Sequence, residues 1–234
     1  MIPAVRIIEI FSSIQGEGIY VGQWHLFVRF WDCNLSCHYC DTDYRGAYQE
    51  LTREELLSRV GSLIREEGPH QAVSLTGGEP LLWWKFLREF LPTLKALGQR
   101  VYLETNGTLP DALREVIPWV DTIAMDVKPP SATADRPFWR SHEAFLRLGV
   151  EAKRDLFVKI VVTAETLTEE LEQAFDLVAR VNSEIPVVLQ PASPARAVYS
   201  SPDEEEVEGW RRLAVRSLAD VRVIPQVHRL LGVP

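Results

Sequence analysis

The chain has 234 residues, of which 46% are hydrophobic and 25% charged, and carries a formal net charge of −8 with a pI of about 5.2. A chain of this length buries a sizeable core without disulfide or metal staples, and its composition is that of an ordinary soluble globular protein. The acidic balance, with arginines scattered among acids, argues against RNA or DNA as partner, since phosphates call for a basic stripe.

The first residues lack a basic stretch followed by a long apolar run, so no signal peptide is expected. No apolar segment approaches membrane-spanning length either. The expectation is a cytoplasmic protein without a membrane partner. Residues 5–10 and 25–31 are short, apolar and rich in β-branched or aromatic side chains, as strands are. A helix is predicted from Thr52 to about Gly68, because Thr52 and Glu55 form a capping box and Leu56, Leu57, Val60, Leu63 and Ile64 recur at helical spacing. Gly68-Pro69 ends it.

The unit then repeats. Strands are expected at 72–75, 101–104, 123–127, 157–162, 187–190 and 221–224. Helices are expected at 83–97, 168–181 and 204–218, with a short helical stretch before 123. Residues 129–137 read as a stiff loop, and Trp24, Trp83 and Trp84 as packing aromatics. His25, His70 and His142 carry no ligand spacing and are assigned surface or capping roles. Strands alternating with helices imply a mostly parallel sheet with right-handed crossovers. The fold class is therefore α/β: an incomplete, partial TIM-like βα barrel of roughly six βα units, in a single domain spanning residues 1–234. Such folds place their chemistry on loops at the C-terminal strand ends. The segments that attract attention fall there: the cysteine loop after Trp31, Thr76-Gly77-Gly78-Glu79-Pro80, Glu104-Thr105-Asn106-Gly107, Asp126-Val127-Lys128-Pro129-Pro130 and Gln190-Pro191-Ala192-Ser193.

The chain has three cysteines, Cys33, Cys37 and Cys40, all on one short loop. An odd, crowded set is a poor disulfide framework and suits a reducing compartment and a metal or cluster role. Three thiolates at this spacing can each take one corner of a [4Fe–4S] cubane, leaving the fourth iron open to a substrate or cofactor. The alternative from the residues alone is zinc, with His38 or the distant His228 as fourth ligand.

Cys-x₃-Cys-x₂-Cys with Tyr39 before the last cysteine resembles the signature of the radical S-adenosylmethionine superfamily, and the Gly-Gly-Glu-Pro segment at Gly77–Pro80 is similar to its cofactor-amine segment. Glu9 through Gly18, Gly22, Phe27-Val28-Arg29, Cys40-Asp41-Thr42, Glu104–Gly107, Lys128-Pro129-Pro130 and Arg222 through His228 resemble, in order, the 7-carboxy-7-deazaguanine synthase family. That resemblance implies a radical SAM core and a carbon–nitrogen lyase that contracts 6-carboxy-5,6,7,8-tetrahydropterin to 7-carboxy-7-deazaguanine with loss of ammonia, on the way to queuosine and related deazapurines. It implies a [4Fe–4S] cluster on Cys33, Cys37 and Cys40, S-adenosyl-L-methionine used catalytically, and Mg²⁺ taken by Thr42. Cofactor contacts are implied for Tyr39, Cys40, Asp41, Gly78, Asp126, Val127, Lys128, Gln190, Pro191, Ala192 and Ser193. Substrate contacts are implied for Ile14, Gln15, Gly16, Arg29, Thr76 and Pro234. It further implies a homodimer served by an electron donor such as flavodoxin or ferredoxin. No dedicated base is demanded, and Glu17 and Glu79 read as structural hydrogen-bonders. Two other functions compete: an activating enzyme for a glycyl-radical enzyme, and a non-catalytic iron–sulfur or zinc-binding module.

Overall fold

In the computed structural model, residues 4–40, 42–133, 136–193 and 201–233 are described. In chain order the elements are β1 (Val5–Ile14), β2 (Trp24–Phe30), β3 (Gln49–Leu51), α1 (Arg53–Glu67), β4 (Ala72–Gly77), α2 (Trp84–Ala96), β5 (Val101–Thr105), α3 (Pro110–Val116) and β6 (Thr122–Asp126). They continue as α4 (Pro130–Thr133), α5 (Trp139–Glu151), β7 (Asp155–Val162), α6 (Thr168–Asn182), β8 (Val187–Pro191), α7 (Glu204–Ala214), β9 (Val221–Val223) and α8 (Val227–Leu231).

The described residues form one nine-stranded sheet in the order β3-β1-β2-β4-β5-β6-β7-β8-β9. From β2 through β9 every neighbouring pair is parallel. The six crossovers each carry helix, so the expected partial barrel is what the chain builds, and β3 and β9 remain as its two edges. An antiparallel hairpin of β1 and β2, extended by β3, adds to the first parallel strand.

Local signals explain several boundaries. Thr52 caps α1 with the capping box complete: its side chain accepts from the Glu55 backbone while Glu55 reaches back to Thr52 N at 2.8 Å. Gly68 follows at φ 86°, a conformation that favours glycine. Asp203 and Glu206 form a second box at α7, and that helix stops at Ala214, four residues earlier than the apolar pattern predicts. Two short elements depart from the sequence expectation. The 129–137 stretch contains the single turn α4, and α5 occupies a region for which no helix is predicted.

The period-two alternation of parallel strands separates two faces. Outward side chains such as Val28, Leu75, Leu103, Ile123, Val158 and Leu189 are fully buried against the helices in the main core. Inward side chains line the barrel in layers. The lowest layer is Ala72, Tyr102, Ala124, Phe157 and Val188, closed from below by Ile19 and Tyr20 of the turn Gly18–Tyr20. Gly18 sits at φ 69°, and a Cβ there would lie 2.5 Å from the Phe157 ring, so glycine is needed for the plug to seat. His25 and His142 are buried here rather than on the surface. His25 bonds Ser74 Oγ at 2.8 Å beneath the barrel, and His142 bonds the Asn106 carbonyl at 3.1 Å. Both are covered by residues distant in sequence, a context that ligand spacing does not report. Among the described residues, no helix is long and apolar enough to cross a membrane.

Candidate functional site

The upper end of the barrel holds a cavity of about 600 Å³. Its wall gathers side chains from β1, β2, β4, β5, β6, β7, β8, the cysteine loop and α8.

The cysteine loop leaves β2 through Asp32, whose φ of 73° turns the chain sharply. Asp32 Oδ1 accepts from Cys33 N at 2.8 Å, and Asp32 N donates to the Tyr44 carbonyl at 2.9 Å. Leu35 is buried, and the Tyr44 hydroxyl donates to its carbonyl at 3.0 Å, anchoring the middle of the loop. Cys33, Cys37 and Cys40 are half-buried thiols that form no disulfide, and all three line the cavity. Burial pushes the Cys33 thiol up to about 12, with the Leu35 backbone opposing and Glu79 reinforcing that shift.

The Gly77-Gly78-Glu79 segment clamps this loop. Gly78 N donates to the Phe30 carbonyl at 2.9 Å and Glu79 N to the Asp32 carbonyl at 2.8 Å. A Cβ on Gly78 would fall 1.8 Å from the Asp32 oxygen, so no side chain fits. The Glu79 carboxylate turns the other way, into the protein. It accepts from Leu81 N at 3.0 Å, Thr105 Oγ1 at 2.8 Å and Asn106 N at 2.8 Å. Burial raises its pKa to about 7 against these stabilising donors. Glu79 is therefore a structural hydrogen-bonder that ties the cysteine loop to the loop after β5.

Across the cavity lies a buried charged layer. Lys159 projects inward from β7, pairing with Glu17 and with Glu104 Oε1 at 2.8 Å, and Asp126 Oδ1 lies at 3.5 Å. Lys128 pairs with Asp126 Oδ2 at 2.7 Å and sits 5.1 Å from the Tyr39 ring centre. Burial would raise Glu17, but the Lys159 charge and hydrogen bond, with the Gln226 amide, outweigh it and hold the carboxylate well below its usual range. Both lysines are buried, yet the carboxylates around them keep them protonated. Thr76 Oγ1 donates to Glu104 Oε2 at 3.1 Å, and in the β2–β4 register Thr76 stands beside Arg29. Arg29 donates from Nε to Glu9 at 2.7 Å and from Nη1 to Thr42 Oγ1 at 3.1 Å, and it packs on the Phe11 ring.

α8 closes the far side. Val227 N donates to the Gly16 carbonyl at 2.9 Å, and a Cβ on Gly16 would meet His228 Nδ1 at 2.4 Å. Gln226 Nε2 donates to Glu17 Oε1 at 2.9 Å, so the tail motif and the early Gln15–Gly18 motif meet directly.

The structure brings most of the sequence-derived candidates together. Ile14, Gln15, Gly16, Arg29, Cys33, Cys37, Tyr39, Cys40, Thr42, Thr76, Gly78, Asp126, Lys128, Gln190 and Ala192 all line the cavity. Val127 does not: its side chain turns outward into the main core. Pro191 and Ser193 are outside the lining as well, although Ser193 N donates to Gln226 Oε1 at 3.3 Å. Asp41 and Pro234 lie outside the described residues. Sequence reasoning missed Lys159 altogether and gave Glu104 no role. The signal was present in Leu156-Phe157-Val158-Lys159-Ile160-Val161-Val162, where a lone lysine interrupts an apolar strand in phase with Phe157 and Val161.

The donor set suits an iron–sulfur cluster with a polar cofactor. Among the described residues, no group of three or more His, Cys, Asp or Glu is arranged to hold a single metal ion. A cubane makes no such demand, because each thiolate takes a different iron. Gln15 Nε2 and Gln190 Oε1 are buried on side chains that line the cavity and have no hydrogen-bond partner among the described residues. A buried polar atom left so is costly unless a ligand satisfies it. An open βα barrel with three thiols on the first loop, a glycine clamp behind them and ligand-facing polar atoms opposite defines a cluster-dependent barrel enzyme.

Known proteins place it more narrowly. The radical SAM superfamily pattern matches residues 32–178. The 7-carboxy-7-deazaguanine synthase of Geobacter sulfurreducens is 40% identical over 98% of both chains. That of Methanopyrus kandleri is 34% identical over 98% of this chain and 94% of its own. In fold, the chain is similar to the crystal structure of QueE from Escherichia coli, with a TM-score of 0.63 at 19% identity over 96% of this chain and 95% of that one. The chain belongs to the radical SAM superfamily and, within it, to the 7-carboxy-7-deazaguanine synthase family.

Proposed function

We propose that this enzyme converts 6-carboxy-5,6,7,8-tetrahydropterin to 7-carboxy-7-deazaguanine with loss of ammonia, within queuosine and 7-deazapurine biosynthesis. The observation that carries the reading is 40% identity along the whole chain to a relative of that name, over a cavity that the family's motifs jointly line.

Cys33, Cys37 and Cys40 would hold the [4Fe–4S] cluster, and Gly78, Tyr39, Asp126, Lys128, Gln190 and Ala192 would receive S-adenosylmethionine. Asp41, Val127, Pro191 and Ser193 remain proposed cofactor contacts, Val127 through its backbone. Bound there, the cluster and cofactor supply hydrogen-atom abstraction at the substrate carbon that bears the carboxylate.

The remaining work falls to side chains. Arg29 presents a guanidinium at the cavity wall, suited to a carboxylate in two-pronged contact. Thr42 beside it offers a hydroxyl oxygen, the ligand type Mg²⁺ prefers when it shares a substrate carboxylate. Glu17 and Glu104, fixed on Lys159, give the opposite wall acceptors for the N–H edges of a reduced pterin. Ile14, Gln15, Gly16 and Thr76 complete the pterin wall, with Pro234 as a further proposed contact. Phe11, Phe27 and Leu35 supply the apolar surface that limits water. Neither carboxylate here is placed to serve as a base: Glu17 is held anionic by Lys159, and both Glu104 oxygens are engaged. We further propose a cytoplasmic homodimer reduced by flavodoxin or ferredoxin.

The test is anaerobic reconstitution with S-adenosylmethionine, Mg²⁺, a reductant and 6-carboxytetrahydropterin, followed by mass spectrometry. 7-Carboxy-7-deazaguanine is the expected product, and Cys37→Ala should abolish both it and 5′-deoxyadenosine. Cofactor cleavage without that product from a fully loaded enzyme sinks the substrate assignment.

A further inference from the structure

The Glu104–Gly107 segment stands out in the sequence, yet the proposed function gives Asn106 no role. Its surroundings are unusually complete. The backbone N–H donates to Glu79 Oε2 at 2.8 Å, and the carbonyl accepts from His142 Nε2 at 3.1 Å. The side-chain Oδ1 accepts from Thr108 N at 3.0 Å and Thr108 Oγ1 at 2.6 Å. Two donors on Oδ1 fix which end of the amide is oxygen, because a turned-over amide would set N–H groups against them. The Nδ2 end therefore faces the cysteine loop. It donates to Asn34 Oδ1 at 2.9 Å and lies 4.0 Å from Cys33 Sγ. Asn34 is itself held, since its Nδ2 donates to Thr108 Oγ1 at 2.8 Å.

We propose that Asn106 is a positioning residue for the cluster's reduction potential, directing an N–H donor at the Cys33 thiolate so that reduction becomes easier. The inference rests on the proposed function, which supplies the cluster. A thiol is a weak acceptor, but a thiolate is charged and a stronger one. An N–H aimed at a ligand sulfur offsets negative charge and favours the reduced state, a recognised control on iron–sulfur potentials. The clamp explains why the residue is fixed from every side. A donor free to rotate would hydrogen-bond elsewhere whenever the cluster changed charge, and its effect on the potential would be lost. Glu79 and His142 hold the backbone, Thr108 holds the oxygen, and the nitrogen is left to the loop.

The experiment compares reconstituted wild type with Asn106→Leu, which keeps the backbone contacts and the approximate shape but removes the donor. Midpoint potentials are read by redox titration followed by electron paramagnetic resonance. Asn106→Leu at wild-type cluster content should be about tenfold harder to reduce, close to 59 mV more negative for a one-electron couple. Thr108→Val removes a bond on Oδ1 without changing the donor itself and should shift the potential the same way by less. If Asn106→Leu fails to take up its cluster, Thr108→Val decides. An unmoved potential in loaded Asn106→Leu, or in Thr108→Val where the first variant does not load, overturns the inference. Wild-type protein that takes up no cluster overturns the proposed function and the inference with it, a failure visible before any titration.

Discussion

The floor of the barrel and the layer above it are built on the same strands, yet they are held by opposite forces. Phe157 and Lys159, like Tyr102 and Glu104, are two positions apart, so each strand presents first a ring and then a charge to the interior. The floor packs rings edge to face, with Tyr20 6.1 Å from Tyr102 and 6.3 Å from Phe157, and gains from burying apolar area. The layer above buries two lysines among three carboxylates, where desolvation costs nearly cancel Coulomb attraction and full pairing is the condition for stability. The lower layer can absorb changes of shape. The upper one tolerates little change of charge, which is what a site that must orient a polar substrate requires.

Substitutions of comparable size should separate the two layers. Lys159→Met keeps the volume and removes the cation, leaving Glu17, Glu104 and Asp126 buried together. A loss of about 3–5 kcal/mol in denaturant unfolding is expected, and a loss below 1 kcal/mol would show that the carboxylates are already neutral. A pH series sharpens the contrast. Burial, with the neighbouring His70 charge, pushes His25 below the floor down from 6.5 to about 4. The folded state thus resists protonation of His25, so its contribution is full above pH 6.5 and is lost as pH drops toward 4. Glu79, raised to about 7, contributes with the opposite sign between 4.5 and 7. At about 1.4 kcal/mol per tenfold change in proton affinity the His25 contribution comes to about 3 kcal/mol. His142, lowered to about 4 chiefly by burial, adds to the same window, so His25→Gln should reduce the slope there without removing it. The Glu17 contribution has the opposite chemistry and a lower window: its pKa is depressed, so its stabilisation persists to pH 4.5 and is lost only below. A His25→Gln variant whose slope between pH 6.5 and 4 equals that of wild type would contradict this ordering. The smallest effect is expected from Phe157→Leu, which changes shape within an apolar floor and should cost about 1.5 kcal/mol or less. A larger loss than that of Lys159→Met would reverse the comparison.

Much of this was legible in the sequence because it is local. The capping box at Thr52 is a pattern of four residues, and the alternation of apolar strands and helices fixes a parallel sheet without knowledge of any distant contact. The cysteine spacing works the same way: the three thiols proposed to hold one cluster lie on one loop, so the motif is visible without knowledge of the fold. Gln15–Gly18 and the tail around His228 were visible as motifs, but their physical purpose was not. Gly16 is glycine because His228 lies against it, and Gln226 reaches Glu17 across 209 residues of chain. The α5 helix was missed because its apolar positions follow a proline-rich stretch without a capping residue, and packing against its neighbours completes it.

The sequence by itself determined the class of fold, the three-cysteine motif proposed to hold the cluster and the loops that line the cavity, since each depends on near neighbours and on period. Tertiary structure alone decided which charges meet. A lysine in an apolar strand is compatible with a surface edge or with a buried ion pair, and only closure of the barrel brought Lys159 to Glu17, Glu104 and Asp126. The same holds for Asn106, whose neighbours come from the loops after β2, β4 and β5 and from α5. Electrostatic and hydrogen-bonded partners are chosen by distance in space, and separation along the chain carries almost no record of that distance.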